Sequence, residues 1–308
     1  MQIDLSVLSN EEKVCLKLRS LYKSYGYSCF KMSKFEEYDL YGRNKDFLIS
    51  DSVITFTDTN GRLMALKPDV TLSIVKNSPA VPSGVTRLYY NENVYRISES
   101  TRRYKELMQV GLECIGEVTE KDVCEVVKLA AESLKVISSY SVLAVSHLKI
   151  LSGALARTGS AADLISARIR EKNVHGVIEL CEKYGVDEKI GSLLSFAAGA
   201  SGDCEKIVGN LADYTDDGEA LAAAEELRYI CSAAKSAGVA VRADLSLCGD
   251  INYYNGAVFK GYVKGVPSRI LSGGQYDGLM EKMNKKSRAV GFAVYADLIE
   301  RFDDGENL

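Results

Sequence analysis

The chain has no tryptophan, only four prolines and only two histidines among its 308 residues. The histidines, His147 and His175, stand 28 positions apart. Such scarcity argues against a zinc site or a histidine-based general base, so each is expected to be structural. The eight cysteines are never closer than 10 residues, so no CxxC knuckle exists. The N-terminus MQIDLSVLSNEEK lacks the features of a secretion signal, so the thiols are expected to be reduced and the location cytoplasmic. No apolar run approaches the ~20 residues that cross a bilayer. There is no basic surplus either: 38 basic against 42 acidic side chains leave a formal charge of -4, a poor match to a phosphate backbone. What are plentiful are hydrophobic residues, at 46%, together with 18 tyrosines. That is a globular composition long enough for about two domains.

Ser9-Asn10-Glu11-Glu12 has the form of a capping box, followed by Val14, Leu18, Leu21, Tyr22 and Tyr25 at helical spacing and Gly26 at the end. Residues 47–56 and 62–66 are expected to be strands around a turn at Asp58-Thr59-Asn60-Gly61, and 69–78 a helix opened by Asp69. Two strands, 87–97 and 104–115, flank a polar loop from Ser98 to Arg103, and Thr119 to Asp122 caps a further helix. After a strand at 142–150, the stretch 151–238 turns rich in Ala, Gly and Ser and reads as a helical insertion. Strand patterning resumes at Val239 and continues at 253–263 and 268–272, with a Gly-Gly turn and a last helix from about 289 to 302. Strands on both sides of a helical insertion predict an α+β fold with a mainly antiparallel sheet flanked by helices. The expected units are a core of 1–150 with 239–308, and the insertion 151–238.

In the run Leu107 to Ile115, Met108, Val110, Leu112 and Cys114 share one strand face while Gln109, Gly111 and Glu113 share the other. The polar face is either solvated or the floor of a small polar ligand site, with Gly111 leaving room and Glu113 able to hold an ammonium. Arg96 ends the neighbouring strand and could take a carboxylate or phosphate, or could simply be a surface arginine. Asp69 and Thr71 alone fit a helix cap. The Ser272–Leu279 run is glycine-rich without the order of a phosphate loop. No metal-ligand cluster and no cofactor motif stand out.

Taken in order, these segments resemble a class II aminoacyl-tRNA synthetase core of the histidyl type. RLYYNENVYRISESTRRYKELMQVGLECIG is similar to motif 2, RAVGFAVYADLIERF to motif 3, and LKPDVT, INYYNGAVFKGY and LSGGQYDGL to the histidine-binding segments. The resemblance implies a class II synthetase-like fold and an amino-acid pocket. In it Asp69, Thr71, Gln109 and Glu113 hold the histidine amino group, Tyr254 and Tyr276 face the imidazole, and Arg96 holds the carboxylate. It also marks losses: Gly249 and Leu298 stand where activating arginines belong, Gln275 replaces the arginine of the GGRYDGL string, and Ser33 a motif 1 proline. Without two cations opposite a polyphosphate, adenylate formation loses its electrostatic stabilisation. An anticodon-binding domain is expected to be missing as well.

This combination resembles the regulatory subunits of short-form ATP phosphoribosyltransferase, the first enzyme of histidine biosynthesis. The resemblance implies a chain with no catalytic residues and no cofactor, required for the activity of the short catalytic subunit. It further implies a homodimer within a hetero-octamer, free histidine as a candidate ligand, and no tRNA or membrane partner. The alternative is a truncated histidyl-tRNA synthetase-like ligase that activates histidine with ATP.

Overall fold

The computed structural model describes residues 7–44, 53–77, 83–98, 101–248 and 253–299. Its elements are α1 (Asn10–Ser24), β1 (Ser28–Cys29), β2 (Phe35–Glu37), α2 (Tyr38–Gly42), β3 (Thr55–Thr57), β4 (Leu63–Leu66), α3 (Val70–Asn77), β5 (Val85–Ile97) and β6 (Tyr104–Gly116). There follow α4 (Glu120–Ile137), β7 (Ser141–His147), α5 (Lys149–Ala156), α6 (Ala162–Arg170), α7 (Val174–Lys183), α8 (Glu188–Gly199), β8 (Ser201–Gly202), α9 (Cys204–Leu211) and α10 (Gly218–Lys235). The chain then returns through β9 (Ala240–Asp244), β10 (Ala257–Val263), β11 (Leu271–Gln275), α11 (Asp277–Lys282) and β12 (Arg288–Tyr295).

A nine-stranded sheet runs in the order β1-β5-β6-β12-β11-β10-β7-β9-β8, and a three-stranded one in the order β2-β4-β3. In the large sheet only β1–β5 and β7–β9 pair in parallel, so the mainly antiparallel α+β expectation holds. The caps hold too. Ser9 and Glu12 form their capping box at α1, Thr119 and Asp122 do so at α4, and Gly26 takes φ +83 just past α1. The β3–β4 hairpin closes around Asp58, whose side chain accepts from the Asn60 and Arg62 amides. Its outer strand is shorter than expected, and residues 47–52 lie outside the described ones.

β5 and β6 pair along their whole length, from Val85 opposite Gly116 to Ile97 opposite Tyr104. One face of this sheet is apolar. Val110, Leu112, Cys114, Phe259, Leu271, Val290, Phe292 and Val294 are buried in one cluster with Val14, Leu18 and Tyr22 of α1 and Val126, Ala130 and Leu134 of α4. The same cluster continues into α5, α6, α8, α9 and α10, and α10 packs against α4. Within 151–238, β8 adds an edge strand to the large sheet through Ser201 opposite Asp244.

Two sequence expectations fail here. Gly273 and Gly274 are not a turn but the middle of β11. Their small size serves strand crowding: a Cβ on Gly273 would stand 2.4 Å from the Gly291 carbonyl oxygen, and one on Gly274 2.7 Å from that of Ala257. The expected last helix at 289–302 is instead β12, followed by a single 3-10 turn at Ala296–Leu298. β12 lies between β6 and β11 with five of its eight residues buried, so both faces are occupied and no two-residue alternation reaches the sequence. The strand expected at 142–150 also stops earlier, and α5 begins at Lys149.

Candidate functional site

The other face of the large sheet carries the polar residues. Register places Tyr90, Gly111, Ala293 and Ser272 in one cross-strand row, with Glu113 opposite Gly291 and Gln109 between Glu92 and Tyr295 in the rows beside it. This face is not solvated: Gln109 is 3% and Glu113 2% exposed. It is covered by a second apolar group that includes Val70, Leu72 and Ile74 of α3, Tyr90 of β5, and Tyr276, Leu279 and Met280.

Glu113 is the centre of the site. Thr71, in the first turn of α3, donates its hydroxyl to Oε1 at 2.8 Å, and the Tyr276 hydroxyl donates to Oε2. Burial drives the Glu113 carboxyl up to about 8; the two hydroxyl donors pull it down only in part, and the nearby Asp69 charge pushes the same way as burial. Asp69 caps α3 by accepting from the Leu72 amide at 3.0 Å, so the capping role read from sequence is real. It is also buried, and desolvation raises its carboxyl above the ordinary range. One residue thus starts a helix and joins the buried acid cluster.

Arg96 extends from β5 on the Tyr90–Glu92 face and donates from Nε to the Pro68 carbonyl at 2.9 Å, beside Asp69. Its Nη2 is buried and has no hydrogen-bond partner, a donor turned inward that suits an anionic ligand group. Asp69, Thr71, Glu113 and Tyr276 are therefore brought together with Arg96 at the edge, and Gln109 lies on the same floor. Tyr254 stands differently. Its ring covers Gly274, where a Cβ would approach it to 2.7 Å, and it meets Tyr253 edge-on at 4.7 Å. Tyr253 is the one facing the acids: it shares a hydrogen bond with Thr71 and its ring lies 6.0 Å from that of Tyr276. Desolvation holds the Tyr253, Tyr90 and Tyr276 hydroxyls well above the ordinary phenol value, and each also feels the Glu113 charge.

Gly111 does not leave open room. A Cβ there would meet the Phe292 carbonyl oxygen at 2.2 Å and the Tyr90 hydroxyl at 2.4 Å, so the space above it is held by Tyr90. Tyr90, Tyr253 and Gly291 were missed from sequence. The available signal was positional: Tyr90 is the register partner of Gly111, and Gly291 that of Glu113. Beside the floor, the wholly buried Lys67 ammonium pairs with Glu92 at 3.0 Å.

Of the lost cation positions, Gly249 lies outside the described residues. Leu298 sits in the 3-10 turn, partly buried against the apolar cluster. Gln275 is on the opposite sheet face, opposite Val290, where Oε1 accepts from the Ala257 amide at 2.8 Å and fills the space left by Gly256. Its replacement of an arginine therefore removes no charge from the Glu113 side. Among the described residues, no group of three His, Cys, Asp or Glu could hold a metal, and no helix is long and apolar enough to cross a membrane. His147 is buried and paired to Glu226 at 3.1 Å.

Known proteins match this chain over most of its length. The family model described as histidyl-tRNA synthetase matches residues 5–299. The chain is 25% identical over 293 residues to the ATP phosphoribosyltransferase regulatory subunit of Ruminiclostridium cellulolyticum, covering 92% of this chain and 70% of that one. It is 30% identical over 253 residues to the regulatory subunit of Desulfitobacterium hafniense, covering 79% and 65%. A crystal structure of an ATP phosphoribosyltransferase regulatory subunit/histidyl-tRNA synthetase from Bacillus halodurans superimposes with a TM-score of 0.85 at 25% identity, covering 95% of this chain and 78% of that one. The chain belongs to the histidyl-tRNA synthetase family and is similar over most of its length to ATP phosphoribosyltransferase regulatory subunits.

Proposed function

We propose that this chain is the non-catalytic regulatory subunit of an ATP phosphoribosyltransferase, required by a short catalytic subunit and responsive to histidine. The observation that carries the reading is an asymmetry. The acid pocket of Asp69, Thr71, Glu113 and Tyr276 is built and buried, while Leu298, matched by resemblance to the motif 3 arginine, is packed into apolar contacts. A pocket of that kind receives an ammonium, with Gln109 beside it and the inward Nη2 of Arg96 available to a carboxylate. An α-amino acid carries both groups. Tyr276, Tyr253 and Tyr254 would surround its side chain. Without a cation at position 298, a bound amino acid meets no group there that stabilises a transferring polyphosphate.

In this reading residues 1–150 and 239–308 form the synthetase-like core, 151–238 an insertion, and two copies pair within a hetero-octamer in the cytoplasm. Histidine can alter the partner's rate only by the difference in its affinity for two arrangements of the complex, typically about 1–3 kcal/mol. The test is to add the purified chain to a short catalytic subunit and titrate histidine. Activation that histidine reverses is expected, and an unchanged rate overturns the reading. Histidine-dependent exchange between pyrophosphate and ATP by the chain alone would instead favour a truncated ligase.

A further inference from the structure

We propose that the Glu113 pocket is a proton-for-cation exchange site: the ligand-free chain keeps a proton on its buried acid pair, and the ammonium of an entering amino acid displaces it. This deepens the histidine-responsive reading above and rests on it. Two acids share a closed space here. Glu113 and Asp69 both lie in the pocket, 2% and 5% exposed. The groups facing Glu113 are Thr71 and Asp69 from the start of α3, Tyr90 from β5, Tyr276 after β11, and Tyr253 from the preceding loop, with Gly291 of β12 behind it. Further along the floor are Gln109 of β6 and Tyr295 of β12. Neither neighbouring cation forms an ion pair with Glu113. Arg96 acts on Asp69 while its Nε is held by Pro68, and Lys67 is paired with Glu92. Among the described residues, no ion pair includes Glu113.

An ionised carboxylate enclosed by phenols and apolar side chains costs several kcal/mol unless a cation joins it, and proteins avoid that cost by protonating the group. The surroundings suit both states. With Glu113 ionised, the Thr71 and Tyr276 hydroxyls donate to its two oxygens. With Glu113 protonated, either hydroxyl can turn to accept the carboxyl proton. Burial already drives the carboxyl up to about 8, so at neutral pH the ligand-free acid is mostly protonated. An ammonium brings its own charge and three donors, restores the carboxylate, and sends one proton to solvent. The site therefore selects ligands by their cationic end, and acidification competes with them.

The experiment is calorimetry of the full chain with L-histidine at pH 7, in phosphate and in Tris, whose different ionisation heats report proton release. Histidinol, which keeps the ammonium, and imidazolepropionate, which lacks it, are run alongside, and all three ligands are repeated on Glu113→Gln. Infrared difference spectra follow the protonated carboxyl band of the wild type as histidine is added. The expected result is about one proton released per histidine or histidinol, loss of the carboxyl band, little binding of imidazolepropionate, and at least tenfold weaker binding without release in Glu113→Gln. Histidine binding with no proton release and no carboxyl band in the ligand-free chain overturns the exchange alone. Failure of both histidine and histidinol to bind the wild type overturns the histidine-responsive reading and the exchange with it.

Discussion

Gly291 offers the sharpest test of how the pocket is built. It stands opposite Glu113 on the neighbouring strand, and a methyl group added to it would lie 1.7 Å from Oε2 of Glu113 and 2.5 Å from the Leu112 carbonyl oxygen. The second contact is to backbone of β6 inside the nine-stranded sheet, so it cannot be relieved by a side-chain rotation. The first can be relieved only by moving Glu113 away from Thr71 and Tyr276, since both of its oxygens are already engaged. A buried polar group deprived of its partner costs about 1–3 kcal/mol, and crowding a packed interior costs about 1–3 kcal/mol more. Gly291→Ala should therefore destabilise the chain by roughly 2–6 kcal/mol and remove histidine binding. Urea unfolding followed by circular dichroism gives the first quantity, calorimetry the second. Gly278→Ala is the control: nothing lies within 4 Å of its added methyl, and it sits in α11, where alanine should stabilise by about 0.5–1 kcal/mol. Gly291→Ala unfolding within 1 kcal/mol of the wild type with binding intact would refute the close-approach argument.

Other outcomes follow from the same contacts. Because folding raises Glu113 from 4.5 to about 8, the native state holds its proton more tightly than the unfolded chain. Its contribution to stability is thus complete below pH 4.5 and is lost as pH rises through about 8, worth about 5 kcal/mol over the whole range. Urea unfolding between pH 6 and 9 should therefore fall about 3 kcal/mol more steeply in the wild type than in Glu113→Gln; parallel curves would contradict it. Thr71→Val keeps the shape but removes one donor from Glu113, and should cost about 1–2 kcal/mol while weakening histidine binding in calorimetry. Lys67→Met leaves Glu92 with only the distant Lys31, 3.7 Å away and mostly exposed, and should destabilise by about 3 kcal/mol in thermal unfolding.

The parts of this structure that can be read in the sequence are those governed by local chemistry. Capping boxes at Ser9 and Thr119, the Asp58 turn and the helical stripe of α4 depend on residues a few positions apart, so their signals survive in one dimension. β11 and β12 are different. Gly273, Gly274 and Gly291 are small because neighbouring strands press on them, so the first two read as a turn and the third as part of a helix until the neighbours are known. The pocket divides in the same way. Asp69, Thr71, Glu113 and Tyr276 were legible from the order of motifs, whereas Tyr90 and Tyr253 enter through register and loop path. Gln275 departs from the family string, and only register shows that it meets the opposite sheet face from Glu113.

The alternation along β6 carries a consequence for folding. Val110, Leu112 and Cys114 enter the apolar cluster, while Gln109, Gly111 and Glu113 share the opposite, polar face. Slipping the strand by one residue would press Glu113 into the helices and turn Leu112 toward the acids, so no misregistered sheet can be both compact and binding-competent. Under the proposed amino-acid binding, ligand capture would serve as proofreading: only a chain whose β5–β6 hairpin has zipped up in register would take up the ligand.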